Sequence, residues 1–174
     1  MSVDGHPAPS GQEDAVTAAE AARTASGGPL RRFVVLVKSD ARTEGGELPD
    51  EASLAAMIAF NDRLVDAGVM LQGDGLGASS AGARLHFSGE AVVVEPGPFA
   101  DPGQLVAGFW VIQARSLDDA IDWMKDAPMG GPAELEIRPV LEADEFGEAF
   151  TPELRSREDD QRRRIEARSG QDRD

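Results

Sequence analysis

An α+β domain, in which two strand–helix–strand units flank a β-hairpin, is what this chain predicts. Runs of strand length, rich in β-branched and other apolar residues, occur at Phe33–Val37, from Val69, at Phe109–Ala114 and at Leu135–Leu141. Apolar residues recur at helical spacing between the first two runs and again between the last two, from Ser116 to Pro128. Between the units, Ala83–Phe87 and Ala91–Val94 flank Ser88-Gly89-Glu90, a short glycine turn that suits a hairpin. Two βαβ units whose helices cover one face of a mostly antiparallel sheet describe a ferredoxin-like fold.

Residues 1–28 are rich in Ala, Gly, Ser and Pro and poor in large aliphatics. They cannot bury enough surface to offset ordering entropy, so a disordered extension is expected, with a docking arm as the functional alternative. The domain is placed at residues 30–150, opening with FVVLV at Phe33–Val37. Lys38 to Glu47 reads as a polar loop. Asp50 then caps a helix ending at Gly68, with Leu54, Met57, Ile58, Leu64 and Val65 as its core stripe and Phe60 as core filler. The second strand starts at Val69–Gln72, and the GDGLG cluster at Gly73–Gly77 breaks its far end. That cluster lacks the Lys-Ser/Thr of a phosphate loop, and no well-formed helix follows to aim an N-terminus at a phosphate. A strand end where backbones approach closely fits it better.

Pro96, Gly97, Pro98 and Pro102 shape a loop that no helix or smooth ladder accommodates. The apolar runs on either side of it, Val92–Val94 and Phe109–Ile112, are expected at the centre of the sheet, with Phe99 buried as the anchor of the loop. Ser116 with Asp119 opens the second helix as a capping-box variant, its face formed by Leu117, Ala120, Ile121 and Met124. Residues 151–174 carry seven acidic and seven basic residues and few apolar anchors, so a charged tail, helical or disordered, is expected.

Composition excludes several classes of function. The net charge is −15, with 32 acidic against 17 basic residues, and residues 31–150 hold 21 of the acidic ones. A body so acidic repels phosphate backbones, which argues against nucleic-acid binding. There is no cysteine, hence no disulfide, thiolate ligand or thiol nucleophile. No run approaches the ~18 apolar residues of a membrane span, and no signal-peptide pattern opens the chain, so a soluble, cytoplasmic protein is expected.

Two helices cover one face of such a sheet, yet FVVLV and FWVI do not alternate with polar residues. A second face so apolar needs a cover, and a second copy packed sheet on sheet supplies it, so a homodimer through the sheet face is expected. A C-terminal helix folded back is the alternative, and that tail is highly charged.

The stretch GPFADPGQLVAGFWVIQARSLDDAIDWMKDAP, with GDGLGASSAGARLHFSG and LEADEFGEAFTPEL, resembles the signature of YCII-related proteins of the DGPF (DGPFAETKE) type. The similarity covers about residues 32–155 and implies a dimeric α+β barrel of ferredoxin-like subunits. The Asp that names the motif falls at Pro96, beside Glu95; the later acid is kept as Asp101, and Thr-Lys-Glu becomes Pro102-Gly103-Gln104. More distant YCII enzymes pair a His on the first helix with an Asp near the end of the second. Here the first helix has no His and the Asp position falls on Ala127, next to Asp126, so that pair does not carry over.

Of the two histidines, His6 lies in the extension and His86 on the hairpin. His86 with Asp74 and Glu95 is the candidate acid/base set, His86 reading otherwise as a solvent-facing strand residue paired with an acid. Phe99, Asp101 and Trp110 are the candidate ligand contacts. Trp110 and Phe109 point to opposite sheet faces, one toward the helices and one toward the dimer interior. If that interior is incompletely filled, Trp110 is the natural wall for an apolar ligand. No cofactor and no resident metal are expected. The reading is a small-molecule-binding protein with lyase- or isomerase-like proton transfer; the alternative is a non-catalytic regulatory or interaction module.

Overall fold

The computed structural model describes residues 29–169. The expected disordered extension at 1–28, with His6, and the last five residues lie outside them. Two compact units divide the chain, the first through Pro139 and the second from Val140.

The first unit holds β1 (Arg31–Lys38), α1 (Ala41–Glu44), α2 (Glu51–Asp66), β2 (Met70–Gly75), β3 (Ala83–Ser88), β4 (Ala91–Pro96), β5 (Val106–Ala114), α3 (Leu117–Met124) and β6 (Leu135–Pro139). Four strands form one antiparallel sheet in the order β2-β5-β1-β6, and β3 pairs β4 as a separate two-stranded sheet. With the hairpin set aside, that order is the ferredoxin-like one.

Helix boundaries follow the local chemistry. The Asp50 carboxylate accepts the Ser53 amide at 2.8 Å, capping α2, and Gly68 takes the left-handed conformation (φ 67°) just past its end. Ser116 Oγ accepts the Asp119 amide at 3.1 Å while the Asp119 carboxylate accepts the Arg115 amide at 2.9 Å, which fixes the start of α3. Both helices lie on one sheet face. Their Phe60, Leu64, Ala120, Trp123 and Met124 pack with Phe33, Val35, Trp110, Ile112 and Ala114 in one core. Phe60 meets the Trp110 ring edge-on at 6.1 Å.

The opposite face carries Val34 and Leu36 of β1 in register with Val111 and Phe109 of β5, all four half-buried. Gln72 and Asp74 border this apolar stripe on β2. Glu136 and Arg138 border it on β6, with Lys38 Nζ 2.7 Å from the Glu136 carboxylate.

Several expectations are corrected. Val92–Val94 is not central: it lies in the hairpin with all three side chains exposed, and β1 is the strand beside β5. An apolar run reports a surface that wants cover, not which surface covers it. On α2 the buried arc is Phe60 and Leu64 with half-buried Met57, while Leu54, Ile58 and Val65 are exposed. At 100° per residue, 57, 60 and 64 fall in a narrow arc that 54, 58 and 65 leave. On α3 the core face is Ala120, Trp123 and Met124, with Leu117 exposed. The loop after Lys38 contains a turn of helix, α1, capped by Asp40. β2 continues through Gly73 and Gly75, and Gly73 sits against Trp110: a Cβ there would lie 2.6 Å from the indole Cδ1. β6 stops at Pro139, which has no amide hydrogen to donate.

The second unit contains a kinked 3-10 segment (Ala143–Ala149) and α4 (Pro152–Ser169). Arg155 pairs with Asp144 at 2.7 Å, and Arg162–Glu158 and Arg163–Asp160 lace the surface of α4. Among the described residues, no helix is long and apolar enough to cross a membrane.

Candidate functional site

Strand alternation gives the β3–β4 hairpin two unlike faces. Arg84 pairs across with Glu95, and His86 with Val93, on one face; Leu85 with Val94, and Phe87 with Val92, on the other. Gly89, at φ 60°, closes the turn.

On the first face His86 Nε2 lies 2.7 Å from Glu95 Oε2, a diagonal cross-strand pair open to solvent. The carboxylate orients the imidazole, the geometry by which an acid–imidazole pair can serve as a proton-transfer unit. One residue pair along, the Arg84 guanidinium stacks 4.0 Å from the centroid of the Phe99 ring. A cation, an imidazole–carboxylate pair and an aromatic ring therefore share one side of the hairpin. Such a set suits a small planar or anionic ligand.

The loop that presents Phe99 is tied to the Ser79–Gly82 segment, which is tied in turn to Glu44 and through it to Ser39. The Gly97 amide donates to Gly82 O at 3.0 Å, and the Phe99 amide to Ser79 Oγ at 3.1 Å. The Ser79 amide in turn donates to Glu44 Oε2 at 2.9 Å, and the Ser39 hydroxyl to Glu44 Oε1 at 3.0 Å. Ser39 is 5% exposed, so the bond satisfies a buried hydroxyl. The Ser79 hydroxyl and amide, helped by Ser39, hold the Glu44 carboxyl below the ordinary carboxylate value. Gly97 is required at its position, because a Cβ there would fall 1.8 Å from the Ser79 carbonyl oxygen. The Gly97–Pro98 peptide is cis.

The predicted site residues divide. His86 and Glu95 come together, beside Phe99. Phe99 is half-buried under Arg84 rather than fully buried. Asp74 is not part of the pair; it faces the sheet edge, where Gln72 Nε2 donates to its Oδ2 at 3.1 Å. Asp101 is exposed in the left-handed conformation (φ 58°), opening the turn Pro102–Gln104. Trp110 belongs to the helix-side core at 5% exposure, its indole N–H donating to Asn61 Oδ1 at 2.9 Å, and Phe109 takes the opposite face. Ala127 packs against the core, and neighbouring Asp126 is exposed.

Ser39, Glu44, Ser79, Asn61 and Arg84 are not legible in the sequence as site residues. Asp40, capping at the Thr43 amide, is the one local signal that points to α1 and so to Glu44. Nothing in GASSAGAR singles out Ser79.

The chain matches the model of the YCII-related domain over residues 32–144. It is 33% identical over 94 residues to an uncharacterized protein of Rhizobium meliloti (strain 1021), an alignment covering 52% of this chain and 75% of that protein.

Proposed function

The chain belongs to the YCII-related domain family, and from that premise we propose that it binds a small molecule on the Arg84–His86–Glu95 face of the hairpin and moves a proton there. The single observation behind this reading is the 2.7 Å His86–Glu95 pair set beside the Arg84–Phe99 stack. Gly97-Pro98-Phe99-Ala100-Asp101, with Pro96 where the motif has its Asp, supports in this reading a kinship with the DGPF type. Arg84 supplies the charge for a carboxylate, Phe99 a ring to lie against, and His86 the base or acid of a lyase- or isomerase-like step.

The test is a melting-temperature screen against a panel of small carboxylic acids, on the wild-type chain and on His86→Gln and Arg84→Gln. At least one acid should stabilise the wild type and neither variant. A panel that shifts nothing, or shifts all three alike, refutes the reading.

The working unit in this proposal is a homodimer packed through the open sheet face. Val34, Leu36, Phe109 and Val111 supply an apolar centre between an edge bearing Asp74 and an edge bearing Lys38, Glu136 and Arg138. A two-fold axis along the strands keeps each residue at its own level and so sets Asp74 over the partner's Glu136, whose charge Lys38 offsets at 2.7 Å; in this proposal the apolar centre, not the edges, carries the contact. Leu36→Glu and Phe109→Glu, which put a charge into that centre, should each abolish association in analytical ultracentrifugation, and dimers that persist in both would refute the sheet-face contact. The non-catalytic alternative is favoured by a different observation, the exposed apolar side of the same hairpin.

A further inference from the structure

We propose that the apolar face of the β3–β4 hairpin packs against the same face of a second copy of the chain, a contact that rests on the homodimer above and adds to it. Leu85, Phe87, Val92 and Val94 form a two-by-two patch on this face and are 55%, 75%, 48% and 60% exposed. Together they leave on the order of 450 Å² of apolar surface open, within the range of the largest patches on monomers, which are often functional.

Three features select a second copy as the occupant. The face bears no charge, whereas the chain carries −15, so two copies meet here without like-charge repulsion at the contact itself. The patch is also self-complementary in volume. β3 contributes the larger side chains, Leu85 and Phe87, and β4 the smaller, Val92 and Val94. A two-fold axis along the strands lays Phe87 on the partner's Val92 and Leu85 on the partner's Val94. Large then meets small at each level, and the gap between the sheets stays even. Finally, two such faces would bury roughly 900 Å², short of the ~1,200 Å² at which stable interfaces begin. The hairpin contact and the sheet stripe complete one another.

Division of labour follows on the hairpin. One side holds two chains together, and the other presents His86 and Glu95 to solvent.

Analytical ultracentrifugation of the wild type, Phe87→Glu, Val92→Glu and Val111→Glu tests this, with an isotope-filtered NOE experiment on a mixed labelled and unlabelled sample. Because Phe87 and Val92 are exposed within one chain, their variants should keep the wild-type circular dichroism and melting curve at low concentration. The expected result is a wild-type dimer with intermolecular NOEs from the Phe87 ring to the partner's Val92 methyls, and a dimer dissociation constant raised at least tenfold in both hairpin variants. Hairpin variants that dimerise like the wild type, with no such NOEs, overturn the hairpin contact; if Val111→Glu is then monomeric, the sheet-face dimer stands without it. A monomeric wild type overturns both and leaves the patch to a different protein.

Discussion

Asn61→Ala should destabilise the domain through the hydrogen bond it removes rather than through lost packing. Asn61 Oδ1 is the acceptor for the Trp110 indole N–H at 2.9 Å, and Trp110 is 5% exposed with its ring against Phe60. Removing the acceptor strands a donor that water reaches poorly, at a cost of about 1–3 kcal/mol. Trp110→Phe removes the donor as well as part of the ring, and will itself destabilise through the space left behind. In that background no donor remains to be stranded, so adding Asn61→Ala should cost under about 0.5 kcal/mol, and the double-mutant cycle should return a coupling of roughly 1–2 kcal/mol. Urea denaturation at neutral pH measures all four proteins. For a chain of this size about 2 kcal/mol corresponds to roughly 4–8 °C in melting temperature, which a thermal melt resolves. Equal costs of Asn61→Ala in the wild type and in the Trp110→Phe variant would show that the bond contributes nothing specific and that Asn61 matters, if at all, through contacts of its own.

Other outcomes follow from the loop and its latch. Gly97→Ala forces a Cβ onto the Ser79 backbone carbonyl, which cannot swing aside as a flexible side chain can, so a loss of about 1–3 kcal/mol or more is expected in denaturant titration; an unchanged midpoint would contradict the close approach. Phe99→Ala removes a half-buried ring and its cation stack on Arg84, for about 1–2 kcal/mol, well below the ~3–5 of a fully buried Phe, and chemical shifts of the Arg84 side chain should move with it. Glu44 has a folded pKa below its ordinary 4.5, so its contribution is present above that value and is lost as pH falls through the folded pKa. Amide exchange at Ser79 and Phe99, corrected for intrinsic rates, should therefore gain protection between acid and neutral pH in the wild type and not in Glu44→Gln. Asp50→Ala, which uncaps α2, should cost about 1 kcal/mol in a thermal or urea melt.

Much of the fold can be read directly. The order of strands and helices, the caps at Asp50 and Ser116, the stop at Gly68 and the hairpin turn at Gly89 are properties of a few consecutive residues. Backbone hydrogen bonding and φ preferences act over that range whatever the rest of the chain does. The opposition of Trp110 and Phe109 across the sheet likewise follows from the period of a strand. Which of two apolar strands is central is a different kind of question. Val92–Val94 is as apolar as Val34–Leu36, yet the first lies exposed in a hairpin and the second sits beside β5. Pairing depends on what distant segments offer, and hydrophobicity carries no address. The helix stripes depart from expectation for a related reason: α2 and α3 each have apolar residues around more than one arc, and only the sheet beneath them selects Phe60 and Leu64 or Trp123. The site divides along the same line. His86 and Glu95 lie nine residues apart on two arms of one hairpin, so register alone brings them together. Glu44 reaches Ser79 across 35 positions of sequence, and Asn61 reaches Trp110 across 49. No local pattern encodes such a bond. It exists because folding leaves a buried donor that one acceptor can satisfy, and the tertiary structure alone decides which.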